Sequence, residues 1–238
     1  MTIRHHIADE ILVSYASGSL PEAWSLLVAT HLALCPSCRK AARDAEELGG
    51  ALLEDLAPVD LSEDAFDKLM SKLESADPEE APVAAKKQTA DVPSVLPEPL
   101  KSYLGGDLHA LNWKRLGKGA YHIPIPLRNG GGKARLLKVP AGQPVPAHGH
   151  RGEELTLVLT GSFTTHQGEF LRGDVEAADD DIEHMPVAGP GEDCICLAIT
   201  TLYRHLGLGR SPAPSELNIR FFLSVVYAKK YSILPVTL

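Results

Sequence analysis

The sequence predicts a multidomain protein of the α and β type, with an N-terminal four-helix domain and a C-terminal β-barrel. Three observations support this prediction. Residues 1–75 carry apolar side chains at helical spacing, residues 76–97 hold four prolines without apolar periodicity, and short apolar runs between Gly, Pro and Asp clusters follow. We therefore expect domains at residues 1–75 and 98–205, a linker over 76–97 and an unassigned tail over 206–238.

Composition and charge exclude several classes of protein. The chain has 238 residues, of which 44% are hydrophobic, so wholesale disorder is excluded. It has no run of 18 apolar residues, and its first ten residues lack the apolar core of a signal peptide, so we expect a cytoplasmic protein without membrane contact. Residues 1–75 carry 13 acidic against 6 basic side chains, which opposes direct nucleic-acid binding and suits a basic protein partner.

Four helices are predicted in the first domain. The first two follow apolar stripes before Gly18 and after Pro21, and the third starts at Pro36, since proline is favoured at the first helical position. The fourth has Ser62 as a possible N-cap. The apolar positions are Ile7, Ile11, Leu12 and Tyr15; Leu20, Trp24, Leu27, Val28 and Leu32; Ala42, Ala45, Leu48, Leu52 and Leu53; and Phe66, Leu69, Met70 and Leu73.

Metal-ligating side chains recur at close spacing where the second and third helices meet. His31 and Cys35 are four residues apart and share a helical face, and Cys38 falls in the first turn of the next helix, where the helix dipole favours a thiolate. Structural zinc takes four Cys or His ligands, and either His5 or His6 can supply the fourth. A thioredoxin-like redox pair fits less well, because the surrounding pattern is helical rather than strand then helix.

At these positions the sequence resembles the zinc-binding anti-sigma factors. His31, Cys35 and Cys38 match their H-x-x-x-C-x-x-C signature, and His6 matches the upstream histidine. The resemblance implies a zinc-bound helical domain with His6 as the fourth ligand. It also implies a protein partner, an extracytoplasmic-function sigma factor whose polymerase-binding surfaces this domain covers.

The second domain is predicted to be all-β. The strand-like runs are short and regularly spaced, which is typical of a sandwich or barrel. The segment Ile219–Ala228 in the tail fits either strand or helix. The predicted strands are Ala134–Val139, Leu155–Leu159, Ser162–Thr165, Ile182–Val187 and Ile195–Thr200.

A second set of candidate metal ligands lies in this β region. His148, His150 and Glu154 occupy even positions, so they point to one face of an extended chain, and His184 lies in a later strand-like run. Three imidazoles and a carboxylate suit a divalent transition metal, with zinc the expected ion. Cys194 and Cys196 also share one face; we interpret them as buried small side chains, with a redox role as the alternative.

This pattern resembles the cupin family. The first cupin motif is matched in full at Gly142, His148, His150, Glu154 and Gly161. The second motif is matched at Gly173 and His184 and departs from the family at Asp179, Asp181 and Ala188. The resemblance implies a cupin β-barrel of about 100 residues, in agreement with the strand pattern.

A helical zinc domain followed by a cupin resembles the ChrR-type anti-sigma factors over about residues 1–205. The resemblance implies a transcription regulator, not an enzyme, that releases its sigma factor in response to reactive oxygen, including singlet oxygen, through the cupin-like part. The alternative is a cupin metalloenzyme, either a dioxygenase, an isomerase or a hydrolase, using the second ligand set. The helical domain favours the regulator, because a simple cupin enzyme has no use for it.

Overall fold

The computed structural model describes residues 2–75, 94–117, 119–128, 132–146, 152–178 and 185–200. His148, His150, His184 and the tail over 206–238 lie outside these residues. The chain forms two compact units, one of Met1–Gly49 together with the chain from Val95 onward, and one of Gly50–Ser94. The predicted domain boundaries stay a prediction, although Leu96, assigned to the linker, is buried in the first unit.

The four predicted helices are present, and a fifth follows the linker. The fifth helix was not predicted because it is only seven residues long and contains Pro99. It packs against the second helix, where the Tyr103 hydroxyl donates to the Glu22 carboxylate at 3.0 Å. The helices are α1 (Asp9–Ala16), α2 (Glu22–Leu34), α3 (Pro36–Glu54), α4 (Ala65–Ser75) and α5 (Glu98–Leu104).

The strands form two antiparallel sheets, as the cupin prediction requires. The strands are β1 (Lys114–Leu116), β2 (Ala120–Ile125), β3 (Lys133–Val139), β4 (Glu154–Thr160), β5 (Ser162–Thr165), β6 (Gly168–Leu171), β7 (Val175–Ala178), β8 (Val187–Ala188) and β9 (Cys194–Thr200). A six-stranded sheet has the order β1-β2-β3-β9-β4-β7, and a three-stranded sheet has the order β6-β5-β8.

The strand predicted over Ile182–Val187 differs from the structure. Residues 182–184 lie outside the described part, Met185 and Pro186 are not in a strand, and β8 begins at Val187. Proline has no N–H to donate to a ladder, which explains why pairing begins after Pro186. The Pro186 carbonyl instead accepts a hydrogen bond from the Val145 N–H at 2.8 Å.

The central strands β4 and β9 are buried on both faces. In each strand six consecutive residues are buried, which explains why both segments read as continuous apolar runs. Leu136, Leu197 and Leu157 face one another across β3, β9 and β4, and none of them is exposed to solvent. On the opposite face of these strands, Cys194, Cys196 and Val158 pack with aromatic side chains of the second sheet.

The helical segment completes the core of the six-stranded sheet. Helix α2 contacts β4 and β9, and its side chains Leu27 and Val28 are fully buried in the same cluster as the sheet leucines. Four short helices have too few apolar residues for a large core of their own. Here the first helices and the sheet share one continuous core.

Candidate metal centre

The junction between α2 and α3 sets the positions of both N-terminal cysteines. Cys35 ends α2 with an extended backbone (φ −108°, ψ 105°), because the residue before a proline is disfavoured in the helical region. Pro36 then starts α3, which places Cys38 in its first turn. The Cys38 N–H donates to the Cys35 sulfur at 3.5 Å, so a helix N-terminus points at that sulfur.

Four predicted ligands meet at this junction. The candidate ligand atoms of His6, His31, Cys35 and Cys38 all lie within 4.8 Å of one another. His6 Nδ1 lies 3.4 Å from each of the two cysteine sulfurs. In the part of the chain that the structure describes, no other group of three or more His, Cys, Asp or Glu side chains has this geometry.

His31 is oriented for ligation by a backbone carbonyl group. Its Nδ1 donates to the Gly173 oxygen at 2.9 Å, so Nε2 carries the free lone pair. Nε2 is buried and has no hydrogen-bond partner among the described residues. Burial is the main cause that lowers the pKa of His31 to about 4, so the imidazole is neutral at pH 7, the form that binds a metal. A carbonyl behind a ligating histidine is a common outer-shell arrangement.

The two cysteines differ in the ease with which they lose a proton. Burial favours the neutral Cys35 thiol, but hydrogen bonds from Ser37 and Cys38 outweigh it and lower the pKa of Cys35 below the ordinary value. Burial raises the pKa of Cys38 to about 11 next to the Cys35 sulfur. Two sulfurs held this close without a disulfide suit a cation between them.

The structure separates the two candidate histidines for the fourth position. His6 lies in the cluster, whereas His5 Nδ1 lies 3.4 Å from Asp174 Oδ2, and the His5 ring lies 4.3 Å from that of Phe170. Two nitrogens and two sulfurs within 4.8 Å fit a tetrahedral ion with bonds of about 2.0–2.3 Å. The cluster therefore fits a structural metal, and this group includes His6 rather than His5.

Of the second predicted ligand set, the structure describes Glu154 alone. Its side chain is buried and lines a cavity between the two sheets, and it accepts a hydrogen bond from the Thr156 hydroxyl at 3.3 Å. Glu176 on β7 lines the same cavity and is also buried, which the sequence analysis missed because β7 is too short to show a pattern. The other lining residues are Leu137, Val139, Val145, Phe163, Pro186, Ala188, Cys194 and Cys196.

Cys194 and Cys196 face this cavity together, as their spacing predicts. Both are buried and free, with their sulfurs 3.5 Å apart. The hydrogen bond with Cys194, burial, and the charges of Glu176 and Glu154 together raise the pKa of the Cys196 thiol well above its ordinary value. The Cys196 thiol is therefore protonated at neutral pH.

No helix in the described ranges combines the length and the hydropathy of a membrane span. Residues 102–203 match the family described as the ChrR cupin-like domain.

The chain is 47% identical over 200 residues to the anti-sigma-E factor ChrR of Cereibacter sphaeroides, which covers 84% of this chain and 91% of that protein. Among solved structures, it is similar to a chain in the crystal structure of Rhodobacter sphaeroides SigE in complex with the anti-sigma ChrR. That match has a TM-score of 0.71 and 46% identity, and it covers 84% of this chain and 99% of the other.

Proposed function

The chain belongs to the ChrR family of anti-sigma factors, and from this premise we propose that it binds and inhibits an extracytoplasmic-function sigma factor. The observation that carries the proposal is the 47% identity over 200 residues, which make up 84% of this chain. A regulator of this family acts by stoichiometric binding and needs no catalytic residues. The regulator is therefore preferred over the alternative of a cupin metalloenzyme. Its place of action is the cytoplasm, where RNA polymerase recruits sigma factors.

Helix α4 in the second unit supplies a surface suited to such a partner. Phe66, Leu69 and Leu73 are spaced along one side of the helix, and their exposed fractions are 69%, 54% and 61%. Exposed apolar stripes of this kind usually mark a binding surface for another protein. The acidic balance of residues 1–75 suits a partner with a basic surface.

The test of the proposal is binding and transcription with α4 variants. Phe66→Glu and Leu69→Glu should each weaken sigma-factor binding at least 30-fold, because loss of an interface hot spot costs about 2 kcal/mol or more. Ser71→Glu, which places the same charge on the polar side of α4, is the matched control. We expect it to bind and to inhibit sigma-dependent transcription in vitro normally. Unchanged inhibition by both apolar-face variants would remove α4 from the interface.

We also assign the helical metal centre to zinc, held by His6, His31, Cys35 and Cys38. The donor set of two thiolates and two imidazoles is a common structural zinc site. When bound, zinc ties the N-terminal segment to the α2–α3 junction. His31 and its Gly173 hydrogen bond then fix the imidazole orientation, and the buried position of Cys35 and Cys38 excludes water.

We assign a second divalent metal, zinc or a related ion, to the cupin-like domain. The buried Glu154 carboxylate in a cavity supports the proposal, together with the cupin motif around it. Such an ion would be held by the Glu154 carboxylate together with three imidazoles, a donor set suited to a divalent transition metal. The proposed ligands are His148, His150, Glu154 and His184.

The second metal site is proposed to sense reactive oxygen, singlet oxygen included. Each of His148→Ala, His150→Ala, Glu154→Ala and His184→Ala should preserve inhibition in unstressed cells and reduce the induced response. A sigma-dependent reporter, measured with and without a photosensitiser in light, tests this. Glu192→Ala, an exposed carboxylate of the same domain, is the control. Normal induction in all four ligand variants would exclude this metal from the response.

A further inference from the structure

The turn between β6 and β7, residues Arg172–Asp174, and the first residue of β7 are hydrogen-bonded to the N-terminal segment that carries His6. The N–H groups of Arg4 and His5 donate to Asp174 Oδ1 at 2.7 and 2.9 Å. In return, the Val175 N–H donates to the His5 carbonyl at 3.1 Å. Both backbone polar groups of His5, the residue before His6, are therefore hydrogen-bonded to the cupin-like sheet.

The same turn also holds the second histidine of the cluster. Gly173, the residue before Asp174, accepts the hydrogen bond from His31 Nδ1. Thus Gly173 orients the His31 ligand directly, and the adjacent Asp174 holds the two residues that precede the His6 ligand. Cys35 and Cys38 are oriented instead by the α2–α3 junction.

Burial and hydrogen bonds fix the position of the Asp174 carboxylate. Its side chain is fully buried, and its Oδ2 atom accepts the Leu171 N–H at 2.9 Å. Burial alone would raise the pKa of Asp174, but hydrogen bonds from the backbone N–H groups of His5, Leu171 and Arg4 lower it. A buried carboxylate with this many donors is expensive to displace, so its position is well defined.

The absence of a side chain at Gly173 allows the N-terminal segment to lie close to the β6–β7 turn. Its backbone has a φ of +92°, and a Cβ atom there would lie 2.6 Å from the Ile3 Cδ1 atom. A side chain at this position would therefore be strained and would push Ile3 away from the turn. Ile3 packs against the shared core.

The turn also continues into the cavity. Val175 begins β7, and the next residue, Glu176, lines the cavity beside Glu154. Glu176 pairs in register with Thr156, which donates to Glu154. A stretch of three residues, Asp174 to Glu176, thus connects the N-terminal segment, which Asp174 contacts, to the cavity wall, which contains Glu176.

We propose that Asp174 and the Gly173 carbonyl are positioning groups for the helical metal centre, so that the β6–β7 turn sets its metal affinity. A change in the cavity that moves β7 would shift His6 and His31 relative to the two cysteines. This inference rests on the proposed function only in assigning a metal to the cluster. By linkage, metal bound at the cluster must also stabilise the turn.

The first test measures metal affinity in the full-length protein carrying Asp174→Asn, which keeps the shape and removes the charge. With Co(II) as the probe, thiolate-to-metal absorption reports on the cysteine-containing centre, and its loss in Cys35→Ser identifies the band. We expect affinity to fall about 10- to 100-fold, as is typical when an outer-shell partner is removed. Glu169→Gln, an exposed carboxylate on the adjacent β6, should leave it unchanged.

The second test uses the wild-type chain, so it does not depend on how a variant folds. Amide hydrogen exchange of His5 and Val175 should slow at least tenfold on metal loading, and the same treatment of Cys35→Ser should produce no slowing. Equal metal affinity in Asp174→Asn and Glu169→Gln would overturn the proposal. Amide exchange rates of His5 and Val175 that do not change on metal loading would also overturn it. Neither measurement involves a sigma factor, so a failure of the proposed inhibition would leave both results interpretable.

Discussion

At the scale of single residues, the hydrogen-bond partners of the histidines decide which of them can bind a metal. His31 donates from Nδ1 and is left with Nε2 for the cluster, and His6 lies beside both sulfurs. His5 is adjacent in sequence but faces Asp174. Neighbouring residues of the same type therefore have different roles.

The pair His5 and His6 provides a direct prediction. His6→Asn should weaken metal binding at the helical centre by at least 100-fold, since it removes one of four ligands. His5→Asn should weaken it less, because the backbone groups that bond Asp174 and Val175 remain. Chelator competition measures both affinities. Equal losses in the two variants would contradict the assignment of His6.

Replacing Cys35 tests whether the metal stabilises the fold. Structural zinc contributes on the order of 10 kcal/mol to folding in small domains, so Cys35→Ala should unfold the helical segment and abolish sigma-factor inhibition. Metal content and circular dichroism measure the first effect, and in vitro transcription the second. Cys194→Ala, a buried cysteine outside the cluster, is the control. Full inhibition by a metal-free Cys35→Ala protein would contradict the prediction.

Sequence spacing could predict the local part of this site and no more. The i, i+4 relation of His31 and Cys35 and the helix start before Cys38 follow from helix geometry. By contrast, Gly173 lies 142 residues after His31, and Asp174 lies 170 after Arg4. Contacts at such separations depend on tertiary packing, which no local pattern encodes.

At the scale of secondary-structure elements, strands β4 and β9 are the centre of the fold. Both pack against α2 on one face and against the second sheet on the other, so the six buried positions of each strand are sensitive to a change in volume. Of the two edge strands of this sheet, β7 is mostly buried and β1 is exposed. In β1 all three residues are exposed.

Leu157 on β4 gives a prediction at this scale. Leu157→Ala should lower the free energy of unfolding by about 2–5 kcal/mol, because the fully buried side chain leaves a cavity. Leu116→Ala on the exposed β1, the matched control, should change it by less than about 1 kcal/mol. Urea unfolding of the metal-saturated protein measures both. Similar losses at the two positions would contradict the burial pattern.

Long elements with a clear apolar pattern were predictable, whereas of the four-residue strands only β5 was predicted, because Phe163, Thr164 and Thr165 are residue types favoured in strands. The helices α2 and α3 and the strands β3, β4 and β9 follow clear periodic or continuous apolar patterns. The strands β6 and β7 have four residues each, too few for an alternating pattern, and β2 contains Pro124, which weakens its strand signal. The elements that link the cavity to the metal centre were thus the ones that sequence could not predict.

At the scale of the whole molecule, the first compact unit has one core for two kinds of structure. The apolar residues of α2 and those on one face of the six-stranded sheet form a single buried cluster. A fragment that ends at residue 75 keeps the four metal ligands and α4. It loses the sheet that covers Leu27 and Val28 and the carbonyl that orients His31.

For the fragment 1–75 we therefore predict that sigma-factor binding is retained and that thermal stability and metal affinity are reduced. It should still bind the sigma factor when metal is present, because the ligands and the exposed face of α4 are retained. It should melt at a lower temperature and bind the metal more weakly than the full chain, because apolar surface that the sheet normally covers is exposed. Pull-down assays and thermal unfolding test the two parts. A fragment as stable as the full chain would contradict the shared core.

The shared core has a consequence for how such proteins can be rebuilt. Leu155, Leu157 and Ile199 belong to the cupin-like sheet, yet their buried surface depends on the helices in front of them. Grafting the helical segment onto an unrelated cupin would leave this face bare and the helices uncovered. Successful chimaeras should therefore exchange α1, α2 and the facing strands together, because the helical segment and the cupin-like sheet depend on one core.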